Sequence, residues 1–507
     1  MKRIILVIIL LIALAVGIYL LIPRTEEAVT NLVEETYEEV EVKLIHEVHV
    51  KSLESSSTFE ISEEEVEYIK KENMIQLDYL SGVYRLLYDY DDDSNQLMFV
   101  YEDQTIHVDF NKATYRLNDD ELLENNFITK KGGTLYLSLD KMGELFNMES
   151  ILIEDPIFSL KLNFNVEGTD TYLIKEMTDQ KVAALPDKIN MTWEAVYSRA
   201  TDVEKLYDMP GLNIISPVWY DLTDGSGTVK SKKQDDYIEW ADNKGYILWP
   251  AVTNGFDPDM THELITSIEN RTAFIDKMVD LYSGNDFHGI NIDFENIYKD
   301  DKDALSQFIA ELTAAFHRKG MLVSIDVTFG GGSDNWSKCY DRRILGQWVD
   351  FVVVMSYDEH WGSSPVSGSV ASLNWLDRNL AILLSEVESD KVIMGIPFYM
   401  RVWFERPSNE VVNHMKVTSD AITMHKMESI LDNGDYNVLW DEAAGQNYIS
   451  FIDSTDNAVK KIWIEDEESL RLKLSMVHKY NLKGIASWRR GYELESIWPM
   501  LDEELRK

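Results

Sequence analysis

Three polar side chains that alternate with apolar ones mark one short segment of the chain. In residues 287–296, Asn291, Asp293 and Glu295 are separated by isoleucine and phenylalanine. Because successive side chains of a β-strand point to opposite faces, the three polar groups share one face. Buried polar groups are costly unless they are hydrogen-bonded or used. Asp293 and Glu295 are therefore predicted to do acid–base chemistry, in which a carboxyl group donates and accepts a proton.

The elements that must position these groups form a series of apolar strands separated by helical patterns, such as Asp303–Arg318 and Leu373–Val387. The strand candidates are Ile189–Val196, Leu212–Trp219, Tyr246–Val252, Gly289–Phe294, Leu322–Thr328, Phe351–Tyr357, Val392–Phe398 and Gly484–Trp488. Eight strands in residues 188–507 predict a (β/α)8 TIM barrel, whose catalytic groups lie at the carboxyl ends of the strands. Residues 399–480 are predicted to form an α+β insertion between strands 7 and 8, walling one side of a cleft.

The informative strand resembles the Asp-x-x-Asp-x-Asp-x-Glu signature of glycoside hydrolase family 18, the chitinase-like barrels. Asp293 and Glu295 match its last two positions, whereas His288 and Asn291 depart from its first two. Asn291, at the second position of the signature, resembles the asparagine expected there in the branch of spore-cortex and peptidoglycan N-acetylglucosaminidases.

Three other strand ends resemble motifs of the same family, in the same order along the chain. They are Met355–Asp358, Gly395–Tyr399 and Gly484–Trp488. The run Tyr357–Trp361 is again similar to the spore-lytic branch. The resemblance covers about residues 188–500 and implies a glycosidase barrel.

The resemblance also implies a substrate-assisted retaining mechanism, in which the 2-acetamido oxygen of the sugar is the nucleophile. Glu295 is then the general acid and base, Asp293 orients the acetamido N–H, Tyr357 donates to the acetamido oxygen, and Trp488 forms an apolar floor. Because Asn291 can only hydrogen-bond and cannot share a proton, Asp293 is expected to stay ionised and its pKa to be less coupled to its neighbours.

Further substrate contacts are expected among polar and aromatic residues near the strand ends. These candidates are Asn291, Met355, Asp358, Trp361, Tyr399, Arg401, Trp249 and Asn254, with Trp219, Tyr220 and Trp403 as additional aromatic candidates. Asp326, which alternates with Ser324 on the fifth strand, is one more inward polar candidate. His288 has the opposite parity and is interpreted as a supporting or core residue.

The N-terminal residues 1–24 are predicted to be a transmembrane helix that anchors the chain. Lys2 and Arg3 precede an apolar run, Ile4–Ile22, which spans about 28 Å as a helix. The positive flank places the N-terminus in the cytoplasm and the rest of the chain on the extracytoplasmic, cell-wall side of the membrane. A cleaved signal peptide is the alternative, since Ala13–Ala15 imitates a cleavage site inside the run.

Between anchor and barrel, residues 25–57 predict an acidic stalk and residues 58–180 a small α+β module. Two stretches of the module, beginning at Phe59 and Leu135, each combine a strand with a helical pattern. The pair resembles the copper-amine-oxidase N-terminal-like repeats of bacterial wall proteins. No metal-ligand cluster is visible in it, so neither copper nor another metal or cofactor is expected.

Composition excludes other classes of function. The chain has 48 Lys and Arg against 89 Asp and Glu, a net charge of −41, which repels nucleic acid. Its one cysteine, Cys339, permits neither an intrachain disulfide nor a cysteine-ligated metal cluster.

The leading hypothesis is a membrane-anchored hydrolase of β-1,4-linked N-acetylglucosamine in peptidoglycan or spore cortex. Chitin or chito-oligosaccharide is the alternative substrate. A catalytically inactive carbohydrate-binding barrel is the alternative class of protein; such chitinase-like barrels generally lose the acid, whereas Glu295 is retained.

Overall fold

The computed structural model describes residues 56–60, 63–81, 85–118, 120–153, 159–164, 170–197, 200–407 and 415–507. The predicted anchor and nearly all of the predicted stalk lie outside these ranges. Within them, no helix is long and apolar enough to cross a bilayer.

The N-terminal module consists of three small antiparallel sheets and three short helices. Its elements are β1 (Ser56–Glu60), α1 (Glu63–Glu72), β2 (Met74–Gln76), α2 (Leu77–Ser81), β3 (Leu86–Asp91), β4 (Gln96–Tyr101), β5 (Gln104–Asp109), β6 (Thr114–Leu117), β7 (Leu123–Glu124), β8 (Ile128–Lys131), β9 (Thr134–Ser138), α3 (Leu139–Phe146), β10 (Met148–Ile153) and β11 (Ser159–Phe164). The sheets have the orders β1-β11-β10, β2-β9-β8 and β3-β4-β5-β6-β7. Two strand–helix–strand units, β1-α1-β2 and β9-α3-β10, lie where the sequence has its two similar stretches. The resemblance to copper-amine-oxidase N-terminal-like repeats stays a prediction.

Eight parallel strand positions close into a barrel, which confirms the predicted fold class. The first half contains α4 (Asp170–Ala183), β12 (Ile189–Glu194), β13 (Ile214–Leu222), β14 (Val229–Ser231), α5 (Asp235–Lys244), β15 (Ile247–Leu248), β16 (Ala251–Thr253), α6 (Pro258–Thr266), α7 (Ile268–Ser283) and β17 (Gly289–Asp293). The second half contains α8 (Lys302–His317), β18 (Leu322–Val327), α9 (Arg342–Trp348), β19 (Phe351–Val354), α10 (Leu373–Leu383), β20 (Val392–Pro397) and, after an inserted segment, the eighth barrel strand at Gly484–Trp488. The last strand pairs with β12 and so closes the ring.

A separate five-stranded antiparallel sheet lies between the seventh and eighth barrel strands. Its elements are β21 (Tyr399–Pro407), β22 (Met415–Thr423), α11 (Met424–Asp432), β23 (Leu439–Asp441), β24 (Gln446–Asp453) and β25 (Ala458–Ile464). The chain then returns to the barrel through α12 (Glu467–Lys479), β26 (Gly484–Trp488) and α13 (Ile497–Leu505). The sheet order is β22-β21-β25-β24-β23.

The third barrel strand differs from its prediction as one continuous run. It is divided into β15 and β16 at Trp249 and Pro250. Proline has no backbone N–H to donate to the ladder, so the strand cannot continue regularly through it. The neighbouring strand β13 shifts register between Val218 and Tyr220 at the same level, and the carbonyl of Pro250 accepts a hydrogen bond from the Tyr282 hydroxyl at 2.7 Å.

The boundary between module and barrel also differs from the prediction. Helix α4 begins inside the segment assigned to the module, yet Val182 at its end and Leu185 just beyond it pack against the apolar interior of the barrel. That interior is filled by the side chains of Ile189, Met191, Trp193, Ile214, Trp249, Leu322, Phe351, Val353, Ile393 and Ala486. The barrel is therefore a packed core whose lower layers are apolar, and its polar groups lie nearer the carboxyl ends of the strands.

Candidate active site

The predicted acid–base pair lies at the carboxyl end of β17. Asp293 is the last residue of this strand and is buried, whereas Glu295, two residues further along, is half-buried. The strand backbone thus places both carboxyl groups on one side, with Asn291 one layer below them. This arrangement is the one that strand alternation predicts.

A buried hydrogen-bond network holds the layer beneath Asp293. The Asn291 amide donates to Asp326 at 2.8 Å, and its carbonyl oxygen accepts from the Ser324 hydroxyl at 2.7 Å. The indole of Trp193 donates to the same Asp326 oxygen at 3.2 Å. Asn291 is therefore a supporting residue with no exposed surface rather than a sugar contact.

Three acidic side chains of the site have raised pKa values. Burial raises the pKa of Asp293 to about 7. Burial raises the pKa of Glu295 well above its usual range, and the charges of Asp293 and Asp358 add to that effect. Burial, followed by the charge of Asp293, raises the pKa of Asp326 well above its usual range. A glutamic acid that keeps its proton at neutral pH is what general acid catalysis requires.

The raised pKa of Asp293 differs from the expectation that this group stays ionised and is less coupled to its neighbours. The side chain of Asn291 points to Asp326 and not to Asp293. Asp326 on the neighbouring strand interacts electrostatically with Asp293, as does Glu295. The sequence pattern within one strand could not show this, because the interaction joins two strands.

Asn254 fixes the backbone of Glu295. Its side-chain amide donates to the Glu295 carbonyl at 2.7 Å, and its side-chain oxygen accepts from the Glu295 N–H at 3.0 Å. The same amide donates to the Thr261 hydroxyl at 2.8 Å. Asn254 is fully buried, and its hydrogen bonds give it a positioning role rather than the predicted sugar contact.

The opposite wall of the site comes from the sixth, seventh and eighth strands. Tyr357 follows β19, and the rings of Tyr357 and Tyr399 meet edge to face at 6.2 Å between centroids. Tyr399 donates its hydroxyl to Asp358 at 2.7 Å, and Arg401 donates to the same oxygen at 3.2 Å. Trp488 ends β26, where its ring meets that of Trp193 at 5.7 Å.

Tyr357 belongs to the same electrostatic cluster as the acids. Burial raises its pKa well above the usual range, and the charges of Tyr399, Asp326, Glu295 and Asp293 act in the same direction. The phenol therefore stays neutral and remains available as a hydrogen-bond donor. Met355, also after β19, is a nearly buried packing residue.

Several aromatic candidates lie away from solvent. Trp249 is 1% exposed and stacks on Phe351 at 5.5 Å inside the barrel, which makes it a packing residue rather than the predicted sugar contact. Trp219, Tyr220 and Trp403 are fully buried and are likewise packing residues. Trp361 is 51% exposed, and its indole donates to Ser363; its contact with a sugar stays a prediction.

Two accessible aromatic residues near Glu295 have no counterpart in the prediction. Phe256 and Trp336 are half exposed, and their ring centroids are 5.9 Å apart. The side chain of Asn296, next to Glu295, donates to the Phe256 carbonyl at 2.9 Å. These residues lie in loops after the third and fifth strands, where no alternating pattern identifies them. In the ranges that the structure describes, no group of three or more His, Cys, Asp or Glu side chains is arranged to hold a metal ion.

Comparison with known proteins shows which family and which relatives the barrel resembles. The family model of glycosyl hydrolases family 18 matches residues 244–493. That segment contains the site strand and the polar residues that follow strands six, seven and eight. Residues 244–493 of the barrel are therefore similar to glycosyl hydrolases family 18.

Individual relatives are similar over the same domain. The protein named uncharacterized glycosylase YvbX of Bacillus subtilis (strain 168) is 28% identical over 272 residues, which cover 52% of this chain and 76% of YvbX. The cortical fragment-lytic enzyme of the same organism is 22% identical over 286 residues, covering 55% of this chain and 65% of the enzyme. The chain thus spans about two thirds to three quarters of the length of these two curated relatives.

A solved structure shows the same fold. The crystal structure of a chitinase from Chromobacterium violaceum ATCC 12472 superposes with a TM-score of 0.52 at 21% identity. It covers 59% of this chain and 92% of the chitinase.

Proposed function

We propose that the chain is a glycoside hydrolase that cleaves β-1,4-linked N-acetylglucosamine in peptidoglycan or spore cortex by substrate-assisted retaining catalysis. The observation that carries the proposal is Glu295: a carboxyl group at the carboxyl end of a barrel strand, held by Asn254 and kept protonated by burial and by Asp293. The match of residues 244–493 to the family model of glycosyl hydrolases family 18 supports the same class of reaction.

The chemistry follows from what each side chain can do. Glu295 gives its proton to the glycosidic oxygen as the bond to the anomeric carbon breaks, and the acetamido oxygen of the same sugar forms a new bond to that carbon. The resulting oxazolinium ion is positively charged, and the Asp293 carboxylate accepts a hydrogen bond from its N–H. Glu295, now ionised, removes a proton from water as the water attacks the same anomeric carbon. This attack opens the oxazolinium ring and restores the acetamido group.

Tyr357 and Trp488 would hold the reacting sugar in this sequence of steps. The neutral Tyr357 hydroxyl can donate to the acetamido oxygen, which aligns that oxygen for attack. The Trp488 face, at the end of β26, offers an apolar surface for a pyranose ring. Asp358, Tyr399 and Arg401 form one hydrogen-bonded group beside them.

Peptidoglycan or cortex is favoured over chitin by two considerations. The similarity to the cortical fragment-lytic enzyme of Bacillus subtilis points to cortex, and the predicted anchor would place the barrel on the wall side of a membrane. Chitin or its oligomers are the second candidate, supported by the fold shared with a bacterial chitinase.

The experiment is to incubate the purified protein with peptidoglycan, spore cortex and N-acetylglucosamine oligomers and to identify products by mass spectrometry. We expect fragments with reducing N-acetylglucosamine ends from wall or cortex, and at least a thousandfold less product from Glu295→Gln. Glu428→Gln, which changes an exposed residue of α11, is the matched control and should retain full activity. A folded barrel that binds glycan but releases no product would support the alternative of a carbohydrate-binding protein.

Anchoring by residues 1–24 is a second part of the proposal and rests on the sequence alone. The full-length chain should sediment with membranes and be released by detergent but not by salt. A chain that stays in the supernatant, or that is shortened near Ala15 by peptidase, would favour the cleaved signal peptide.

A further inference from the structure

Two buried carboxyl groups lie side by side on neighbouring strands of the barrel. Strands β17 and β18 pair so that Asn291 is opposite Ser324 and Ile292 is opposite Ile325. The next positions in this register are Asp293 and Asp326, and both side chains are less than a tenth exposed. Both belong to the inward face, as the direct bond between Asn291 and Ser324 shows for the layer below.

Each of these carboxyl groups has one buried oxygen without a hydrogen-bond partner, and Asp326 also has one oxygen that is hydrogen-bonded. Oδ2 of Asp326 accepts from both Asn291 and Trp193. Oδ1 of Asp326 and Oδ1 of Asp293 are buried and have no hydrogen-bond partner among the described residues. The amide of Asn291 is already committed to Asp326, so it does not satisfy Asp293.

Elementary electrostatics decides how such a pair can exist. Two carboxylates in a site of low polarity repel each other strongly, so one of them retains its proton. A buried acceptor that lacks a donor is destabilising, and a carboxylic acid beside it supplies that donor. One proton held between the two Oδ1 atoms reduces the charge repulsion and also supplies a hydrogen-bond donor to the unpartnered oxygen.

We propose that Asp326 is a positioning residue that keeps this proton and donates it in a hydrogen bond to Asp293, so that Asp293 carries the single negative charge of the pair. The proton stays bonded to Asp326 throughout, and no bond to the substrate is made or broken there. The catalytic consequence rests on the proposed function, because an ionised Asp293 is what accepts the acetamido N–H and offsets the oxazolinium charge.

The other titratable groups around the pair leave this assignment intact. Glu295 faces both carboxyl groups and is itself protonated. Tyr357 and Tyr340 also face the cluster, and burial raises the pKa of both phenols well above the usual range, so they are neutral. Asp358, next to Glu295, is paired with Arg401 at 3.2 Å.

The test compares the pH dependence of kcat/KM for wild type, Asp326→Asn and the exchanged variant Asn291→Asp/Asp326→Asn. The acid limb is the part of the profile in which kcat/KM falls as pH decreases, and it reports the ionisation of Asp293 in the free enzyme. An amide is a weaker donor to a carboxylate than a carboxylic acid, so the limb of Asp326→Asn should move to higher pH by about 1, with kcat about tenfold lower. The exchanged variant returns an acid to the neighbourhood of Asp293 and should restore the wild-type limb.

Two results would overturn the proposal. A limb that moves to lower pH in Asp326→Asn would mean that Asp326 is a permanent anion, because removing a like charge lowers the pKa of Asp293. An unmoved limb would mean that Asp326 only fills space and accepts hydrogen bonds. If Asp326→Asn does not fold, the test is the pH profile of kcat/KM for the exchanged variant. A profile that lacks the acid limb of the wild type then contradicts the proposal.

A second measurement separates this proposal from the proposed function. Carboxyl ¹³C titration of the free protein, with Asp293 assigned from Asp293→Asn, needs no turnover. Wild-type protein that hydrolyses none of the substrates refutes the proposed function, yet an upward shift of the Asp293 midpoint in Asp326→Asn would still support the shared proton. A downward shift of the Asp293 midpoint, or no shift, would refute the shared proton between Asp293 and Asp326. It would not contradict the proposed hydrolase activity.

Discussion

Asp293 and Glu295 carry the same functional group two residues apart, and their surroundings give them different tasks. Glu295 is half-buried, and its backbone is clamped by Asn254, so its carboxyl group can reach substrate while its position is fixed. Asp293 lies deeper, above the network of Asn291 and Asp326. The strand alternation predicts which residues face inward, but the partners of each come from other strands.

Asn254→Ala should impair catalysis without removing any group that touches the sugar. The substitution leaves the buried N–H and carbonyl of Glu295 without their side-chain partner. Misplacing a catalytic group by about 1 Å can lower a rate about a hundredfold, so we expect kcat to fall by about 10- to 100-fold with little change in KM. Steady-state kinetics on the preferred oligomer is the measurement.

The matched control is Asn433→Ala, which removes an exposed asparagine whose amide bonds only to the Ser429 carbonyl on α11. Its kinetic constants should equal those of wild type. A rise in KM with kcat unchanged in Asn254→Ala would instead make Asn254 a substrate contact.

At the scale of elements, the barrel strands were predictable because each is an apolar run as long as a typical barrel strand and is flanked by polar residues. The break in the third strand follows from Pro250, but its placement depends on the register shift of β13, which the sequence does not display. The layer that a residue occupies was also beyond prediction. Trp249 and Trp488 are both predicted near strand ends as sugar-contact or floor residues, yet Trp249 stacks on Phe351 in the core, whereas Trp488 is partly exposed at the end of β26.

Gly289 is the position at which the site strand tolerates no side chain. A Cβ atom there would lie 2.6 Å from the Leu322 carbonyl oxygen and 3.0 Å from the indole of Trp249. Both neighbours are packed, so Gly289→Ala forces β17 away from β18 and should lower the free energy of unfolding by about 1–3 kcal/mol. Because β17 also carries Asp293, activity should fall as well.

Urea unfolding measures this effect. Gly330→Ala is the control, because a Cβ atom there meets nothing closer than 3.7 Å. A Gly289→Ala protein as stable as wild type would show that β17 and β18 can separate without penalty, contrary to the packing described here.

On the scale of the whole molecule, the module and the barrel share buried contacts. Val100 of β4 packs against Ala310, Ala314 and Trp348 of the barrel helices. Arg271 of α7 joins Asp89 of β3 at 2.8 Å and Glu311 of α8 at 2.9 Å. The long separation of these partners in the chain explains why the sequence predicts a module but not its attachment.

His317 links the two parts through carboxylates on either side. Its ring nitrogens lie 2.8 Å from Asp103 of the module and 3.0 Å from Asp350 of the barrel. Burial alone would lower the pKa of His317, but Asp350 and Asp103 outweigh it and raise the pKa to about 9. The imidazolium ion is therefore the form present at neutral pH.

The stabilisation from His317 should depend on pH in a defined direction. A group whose pKa is raised on folding stabilises the fold fully below its unfolded value of about 6.5 and loses that effect as pH rises through about 9. The free energy of unfolding should therefore fall between these values.

His317→Gln should remove this dependence and lower stability by about 3–5 kcal/mol, because two buried carboxylates lose their cation. Urea unfolding across that pH range is the measurement, and His425→Gln, at an exposed position of α11, is the control. A pH slope retained in His317→Gln would assign it to another group.

The net charge of −41 also acts on the whole molecule. An acidic protein gains no long-range attraction to an anionic wall polymer, so affinity must come from short-range stacking and hydrogen bonds at the site. The exposed rings of Trp361, Phe256 and Trp336 are the accessible surfaces suited to such contacts.

The central claim is that Glu295 protonates the glycosidic oxygen while the substrate's own acetamido group attacks the anomeric carbon. The most direct test is the configuration of the first product, read by ¹H NMR of its anomeric proton before mutarotation. Two successive displacements at one carbon retain configuration, so the β anomer should form first, and Glu295→Gln should form neither anomer. Initial formation of the α anomer by the wild-type protein would mean a single displacement by water and would contradict the account.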